Sequence, residues 1–183
     1  MRVLIDTSSL LALVRYYLPF EKENSLSKFI IGRIETGEII ILDKVFEEST
    51  FIAKGVIIKE LNLPKNKIVK TEVILPSPKF FNQLESQFCY GSQKNRLNSA
   101  EFEIEKNKFL ESADAKQILY CIKDKGSLEI DKPILVTEET GAENDNKLFK
   151  KLPAICTVLE IEHCNLPILL KDHFKLNLSQ FLT

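Results

Sequence analysis

The sequence predicts an α/β fold in which a mostly parallel sheet is covered by helices on both faces. Short apolar runs rich in β-branched residues recur along the chain, and their length is typical of buried strands. Segments with apolar residues at helical spacing lie between these runs, and such alternation is typical of parallel sheets. Because the chain has 183 residues, 44% of them hydrophobic and 28% charged, we expect a single domain over residues 1–183.

The first half of the chain contains two strand–helix units. The predicted elements are strands at about 3–5 and 38–42 and helices at about 8–16, 26–37 and 43–55. Pro19 separates the first two helices, and Gly37 ends the second. Asp43 is a natural cap for the third helix, and Gly55 is its predicted end.

The middle segment, about 60–105, has the least regular pattern. Phe80, Phe81, Leu84 and Phe88 have the spacing of a short amphipathic helix, whereas the polar and basic stretch 90–99 is predicted to be a loop. Regular patterns return after this segment. The later elements are a capped helix at about 112–126, strands at 133–137 and 159–163, and a helix at 165–170 capped by Asn165.

Charge and cysteine content exclude some classes of protein. The net charge is −1, so the chain is no basic nucleic-acid coat, and any nucleic-acid binding must use a local patch. The cysteines form no C-x-x-C pair, and Cys121 and Cys156 are predicted to be buried thiols. We expect no secretory leader and no membrane span, since no apolar stretch approaches the required length of about 20 residues. These features predict a cytoplasmic protein with reduced thiols.

Acidic residues recur where the predicted strands end or the predicted helices begin. Asp6 follows the first strand, Asp114 opens a helix, and Glu138 and Glu139 follow the third strand. A further acid, Glu48, lies in the helix after the second strand. In a parallel sheet these strand ends share one edge, so the carboxylates are predicted to converge there.

Each acid also has a simpler interpretation. Asp6 or Thr7 can cap the first helix, and Asp114 can be a first-turn acid favoured by the helix dipole. Glu48 can lie on a solvated helix face, and Glu138 and Glu139 can be ordinary loop acids. The ordered set is more informative than any one member, because crowded carboxylates repel each other unless a cation neutralises them. Oxygen-only ligands favour Mg²⁺ or Mn²⁺, which suits metal-assisted phosphodiester hydrolysis.

Four short motifs occur in a fixed order along the chain. They are Leu4-Ile5-Asp6-Thr7-Ser8, Asp43-Lys44-Val45-Phe46-Glu47-Glu48, Ala113-Asp114 and Leu135-Val136-Thr137-Glu138-Glu139. This series resembles the PIN-domain family, the VapC-like ribonuclease toxins of type II toxin–antitoxin pairs. Similarity continues from Lys151 to Leu166, as in a subgroup with longer chains. The resemblance covers both ends of the chain well and the middle segment, about 60–105, poorly.

The resemblance implies a three-layer α/β/α sandwich and an endoribonuclease that cleaves single-stranded RNA. It implies dependence on Mg²⁺ or Mn²⁺, with Asp6, Glu48, Asp114 and Glu139 as catalytic acids and metal ligands. It also implies a small antitoxin whose tail occupies the active site, and frequent homodimers.

The sequence departs from the family pattern at two of the acids. The fourth acid is Glu139, one methylene longer than the usual aspartate, and Asp145, or Glu143 beside it, is the alternative metal ligand. Ser49 replaces an apolar residue after Glu48, so Glu47 is the alternative if the register shifts.

Other polar residues are expected to support this site. Thr7, Ser8 and Thr137 are predicted to orient the acids, because no general base is paired with them in the sequence. Weaker candidates for contact with RNA phosphates are the basic residues Arg15, Lys65, Lys67, Lys94 and Arg96, which can equally be solvated. Both histidines lie far from the motifs, which disfavours a histidine-dependent mechanism.

Three hypotheses of function follow. The first is a metal-dependent endoribonuclease, the toxin of a toxin–antitoxin pair. The second is a non-catalytic PIN-like module that binds RNA or protein. The third, an unrelated α/β enzyme, is disfavoured because the sequence has no Gly-rich phosphate loop and no G-x-S-x-G motif.

Overall fold

A four-stranded, all-parallel sheet lies at the centre of the computed structural model, which describes residues 1–124, 132–141 and 146–183. The strands, in chain order, are β1 (Val3–Ile5), β2 (Ile39–Ile40), β3 (Ile134–Val136) and β4 (His163–Cys164). Their order across the sheet is β2-β1-β3-β4. The fold therefore confirms the predicted α/β class with a parallel sheet, and it is compatible with a three-layer α/β/α sandwich.

Helices connect these strands. In chain order they are α1 (Thr7–Tyr16), α2 (Ser25–Glu35), α3 (Asp43–Phe51), α4 (Val56–Leu61), α5 (Pro78–Gln83), α6 (Gly91–Lys94), α7 (Ser99–Leu110), α8 (Ala113–Asp124), α9 (Leu152–Leu159) and α10 (Leu166–Ile168). Among the described residues, no helix has both the length and the apolar character needed to cross a lipid bilayer.

The strand order reverses at β1, which pairs with β2 on one side and β3 on the other. Crossover connections between parallel strands are right-handed, so connections that run in opposite directions across the sheet lie on opposite faces. At such a reversal a crevice forms beyond the carboxyl ends of the strands, where open α/β folds bind their ligands. Residues that directly follow β1 and β3 therefore lie at this crevice.

The sheet forms the centre of the hydrophobic core. Val3, Leu4 and Ile5 are fully buried, and Leu4 pairs in register with Ile40 and Leu135. Burial on both faces explains why the strands are continuous apolar runs rather than alternating ones. Cys121 and Cys156 are buried, as predicted.

The prediction of a strand at 159–163 is wrong. The apolar run before it forms α9, and the strand begins only at His163. Pro153 lies in the first turn of α9, where proline is favoured because no hydrogen bond to its nitrogen is needed there. Glu160 has a left-handed conformation (φ 53°) that ends the helix. A short apolar run has the same sequence pattern in a buried strand and in a buried helix.

The third predicted helix is also shorter than expected. α3 ends at Phe51, and the backbone is left-handed at Ala53, Lys54 and Gly55, with φ of 50°, 58° and 73°. A Cβ atom on Gly55 would lie 3.0 Å from the carbonyl oxygen of Thr50, so glycine is required at this close approach. Gly55 thus does mark a boundary, but α4 follows it directly.

The middle segment is more helical than predicted. The helix expected at Phe80–Phe88 is present as α5 with a following π-helical turn. The predicted loop at 90–99 contains α6 and the first residue of α7. Asn98 and Glu101 form a reciprocal capping box at the start of α7, and this Asn-x-x-Glu spacing is a recognisable signal in the sequence. The predicted helix end near Gly126 lies outside the described residues.

Candidate active site

Asp6 lies at the crevice between β1 and β3 and is held by both neighbouring segments. Its backbone N–H donates to the Val136 carbonyl oxygen of β3 at 2.9 Å. The residue is only 5% exposed. The Oδ2 atom accepts hydrogen bonds from Ser8 Oγ at 2.6 Å and Thr137 Oγ1 at 3.1 Å. Asp6 also caps α1 through Ser8 N. The capping and cluster interpretations are therefore compatible, and two of the predicted orienting residues contact this acid.

Gln117 holds the other carboxylate oxygen of Asp6, and the sequence analysis did not identify it. Its Nε2 donates to Asp6 Oδ1 at 3.0 Å, and its side chain is fully buried. Its Oε1 atom has no hydrogen-bond partner in the described part of the chain. Gln117 lies three residues after Asp114 on α8, so the two residues share a helix face. That spacing is the signal from which Gln117 could have been found.

Glu48, rather than Glu47, faces the acids. Glu48 is half-buried and its Oε2 accepts a hydrogen bond from Thr7 Oγ1 at 2.8 Å. Burial raises the pKa of Glu48, and repulsion from Asp6 and Glu139 adds to this rise. The Thr7 hydrogen bond offsets part of it. Glu47 is exposed, and it pairs with Lys44 at 3.1 Å. Of the two alternatives from the sequence, Glu48 is therefore the acid that lies near Asp6, and Glu47 lies on the exposed surface.

Asp114 has a strongly raised pKa. It lies in the first turn of α8 and is partly buried. Burial, with repulsion from Asp6, Glu139 and Glu48, raises the pKa of Asp114 to about 7. Lys147 acts in the opposite direction but does not cancel this rise. Asp6, Glu48 and Glu139, which come from three other segments of the chain, are therefore near enough to Asp114 to interact with it electrostatically.

Glu138 and Glu139 point to different elements. Glu139 Oε2 accepts a hydrogen bond from Leu152 N at 3.1 Å, at the start of α9. Glu138 Oε1 accepts from Leu166 N at 2.7 Å, at the start of α10. Of these two acids, Glu139 contributes to the raised pKa values of Glu48 and Asp114. The alternative ligands Asp145 and Glu143 lie outside the described residues.

The donor chemistry of these acids fits a hard divalent cation. All four are oxygen donors, and the repulsion among them is of the kind that a bound cation relieves. Within residues 1–124, 132–141 and 146–183, however, no three His, Cys, Asp or Glu side chains are arranged closely enough to hold a metal ion. The carboxylates instead accept hydrogen bonds from protein groups, as Glu48 does from Thr7 and Glu139 from Leu152. Binding an ion would exchange these hydrogen bonds for metal ligation.

Asp114 and Glu139 line a cleft of about 620 Å³ together with Arg96. Arg96 is the one residue among the five predicted RNA contacts that lines this cleft. Lys94 lies over the Phe102 ring at 4.4 Å, and it lines a different pocket.

The remaining predicted RNA contacts lie elsewhere. Arg15 lines a separate groove with Ser8 and Glu138. Lys65 and Lys67 are exposed in a short 3₁₀ turn and line neither of these surfaces.

No family model, no curated protein and no solved structure matches this chain. The resemblance to the PIN-domain family therefore stays a prediction from the sequence motifs. The parallel α/β fold is established independently of it.

Proposed function

We propose that this chain is a metal-dependent endoribonuclease that cleaves single-stranded RNA. The observation that carries the proposal is the convergence of Asp6, Glu48, Asp114 and Glu139 at the point where the strand order reverses. The pKa of Asp114 is raised to about 7 by burial and by repulsion from Asp6, Glu139 and Glu48, and perturbed acids in a cleft are typical of functional sites. Together with the order of the motifs, this favours a site that works with Mg²⁺ or Mn²⁺.

The residues of the chain have distinct roles in this proposal. Asp6 is the fixed acid, because Ser8, Thr137 and Gln117 hold both of its oxygens. Asp114 and Glu139 line the cleft and would face the substrate. When bound, Mg²⁺ or Mn²⁺ would supply an activated water and neutralise the charge on the phosphate.

A non-catalytic binding module is the second candidate. Hydrogen bonding of Glu48 and Glu139 to protein groups favours it, because these acids need no cation to satisfy those oxygens. In that case RNA or a protein partner would bind without turnover, and chelation would not affect binding.

The test is cleavage of a labelled single-stranded RNA with Mn²⁺, with Mg²⁺ and with chelator. We expect the native chain to cleave only with metal, and Asp6→Asn to be inactive. Glu48→Gln and Glu47→Gln form a matched pair: the first should lose cleavage and the second should keep it. Retained cleavage by Asp6→Asn, or binding without cleavage by the native chain, would refute the nuclease proposal.

The resemblance also leads us to propose a small antitoxin as the protein partner, a homodimer, and a location in the cytoplasm. Light scattering of the purified chain measures the number of copies. Co-expression with the product of an adjacent short reading frame tests the antitoxin, which should co-purify and inhibit cleavage.

A further inference from the structure

The cleft beside Asp114 and Glu139 contains an aromatic pair that the proposed chemistry does not use. The rings of Phe109 and Phe149 stack with their centroids 4.5 Å apart and their planes 28° from parallel. Both side chains line the cleft and are half-buried, since each packs against the hydrophobic core on one side and borders the cleft on the other. Phe109 lies at the end of α7 and Phe149 shortly before α9. Two separate segments therefore build this aromatic surface.

Positive charge is concentrated around the same cleft. Among the described residues, those that line it include the basic residues Arg96, Lys108, Lys147, Lys150 and Lys151, against the acids Glu105, Asp114 and Glu139. The chain as a whole has a net charge of −1, so this excess is local. Lys150 also approaches the Tyr90 ring, at 6.0 Å. A polyanion would therefore be attracted to this surface in preference to the rest of the molecule.

We propose that this cleft binds an unpaired nucleotide of an RNA strand, with the base against Phe109 and Phe149 and the phosphates on Arg96 and Lys150. The proposal deepens the proposed function and rests on it, since it describes how that site holds its substrate. Base–aromatic stacking requires a base that is free of its complementary strand. The cleft, at about 620 Å³, has the size of a site for one small ligand.

An acidic peptide is the competing occupant, and the aromatic pair argues against it. Lysine and arginine side chains attract a glutamate-rich segment as well as a phosphate backbone. Flat aromatic rings beside those charges match the alternation of base and phosphate in nucleic acid. The same rings provide no favourable contact for a carboxylate. The stacking surface is therefore the feature that the experiment must test.

The experiment measures binding of a fluorescein-labelled oligouridylate by anisotropy, using the full chain in chelator so that no cleavage occurs. Phe149→Leu removes the aromatic ring but keeps an apolar side chain, and we expect it to weaken binding about ten-fold. Phe149→Tyr should restore affinity. Phe81→Leu is the matched control, because Phe81 is half-buried outside the cleft, and it should bind like the native chain.

Arg96→Gln provides a second variant that does not depend on packing, since Arg96 is exposed. We expect weaker binding. The slope of the logarithm of the binding constant against the logarithm of the salt concentration should become shallower by about 0.7, which is the value for one lost phosphate contact with a single strand. Lys59→Gln, an exposed lysine of α4, should change neither quantity.

Several results would overturn the proposal. Phe149→Leu binding as tightly as Phe81→Leu would exclude stacking, and so would equal affinity for an abasic strand. Polyglutamate competing as well as oligouridylate would assign the cleft to an acidic peptide. Failure of the nuclease proposal is distinguishable: the native chain would bind RNA in the manner described and never cleave it with metal.

Discussion

Asp6 and Asp43 occupy similar positions in the sequence and have different surroundings in the fold. Each follows a short buried apolar run at the start of a helix: Asp6 caps α1, whereas Asp43 is the first residue of α3 and not its predicted cap. Their residues are almost equally buried, at 5% and 7% exposure. Each carboxylate accepts a hydrogen bond of 2.6 Å from a nearby hydroxyl, Ser8 for Asp6 and Thr71 for Asp43. From local sequence alone the two aspartates are equivalent.

The difference lies in what the rest of the chain brings to each one. Asp6 follows a central strand, and it interacts electrostatically with Glu48 and Asp114, which come from distant segments. Asp43 follows β2, at the edge of the four-stranded sheet, where Lys70 is nearby. Burial raises the pKa of Asp43, but hydrogen bonds from Thr71 and Lys44 outweigh burial and lower it overall. Asp43 is thus a structural acid, whereas Asp6 adds to the repulsion that raises the pKa values of Glu48 and Asp114.

Asp114→Asn tests whether the repulsion at this site destabilises the fold, and it has the largest expected effect on cleavage. Cleavage should fall by at least about 100-fold, because an acid of the site is lost. The fold should become more stable: the pKa of Asp114 is about 7 in the fold, so its ionisation destabilises the native chain as the pH rises from about 4 to 7. At about pH 8 the free energy of unfolding of the variant should exceed that of the native chain by about 1–2 kcal/mol. This is less than the full pKa shift corresponds to, because the carboxylate is partly exposed to solvent.

Denaturant unfolding at several pH values, with cleavage assays on the same samples, checks this prediction. The stability difference between the variant and the native chain should narrow as the pH falls from about 7 to 4. A variant that is inactive and also less stable at neutral pH would make Asp114 a structural acid like Asp43.

Gln117→Leu has a smaller expected effect and tests whether Asp6 must be held in place. Leucine keeps an apolar side chain of similar length but removes the donor to Asp6 Oδ1. Loss of such a supporting hydrogen bond is expected to lower cleavage about 10–100-fold and to raise the Mn²⁺ concentration needed for half-maximal rate. The free energy of unfolding should fall modestly, because the buried Asp6 Oδ1 loses its donor while the substitution also removes the unpartnered Oε1 atom.

Ser9→Ala is the matched control for this variant. Its Oγ is also buried without a hydrogen-bond partner in the described residues, and no hydrogen bond there joins it to an acid. The variant should keep both the native cleavage rate and the native Mn²⁺ dependence. If Gln117→Leu behaves like Ser9→Ala, Gln117 has only a packing role.

The sequence predicts those helices and strands in which apolar periodicity and the residues at the ends indicate the same element. β1, α1 and α8 follow from apolar periodicity, and the position of Asp6 at the end of a strand needs no tertiary information. The boundary of α9 could not be predicted, because its apolar run is short and buried in either conformation. Local pattern determines the class of an element here, and tertiary packing determines its limits.

The cluster itself was predictable only in part. The order of the acids in the sequence indicates which strand ends carry them, since parallel strands share an edge. The choice of Glu48 over Glu47 depends on the rotation of α3, which turns one acid towards Thr7 and the other towards solvent. The role of Gln117 depends on α8 lying against the end of β1. Neither the rotation of α3 nor the position of α8 against β1 can be predicted from a few neighbouring residues.

Asp43→Asn has the smallest expected effect on cleavage and completes the comparison. Asp43 Oδ2 accepts a hydrogen bond from the buried backbone N–H of Thr71 at 3.1 Å, while Oδ1 accepts from Thr71 Oγ1 and Lys44 N. An asparagine amide can replace only one of these oxygens as an acceptor, so one buried donor loses its partner. We expect a loss of about 1–3 kcal/mol in unfolding free energy at neutral pH and unchanged cleavage by the folded variant.

The pH dependence separates this role from that of Asp114. The pKa of Asp43 is lowered in the fold, so its ionised form stabilises the native chain above its unfolded pKa of about 4. That contribution is lost as the pH falls through the lower folded-state value. As the pH rises, the unfolding free energy of Asp43→Asn should therefore fall further below that of the native chain, whereas that of Asp114→Asn should rise above it. Unfolding of both variants across the acid range measures the two slopes, and slopes of the same sign would show that the two carboxylates do not differ as described.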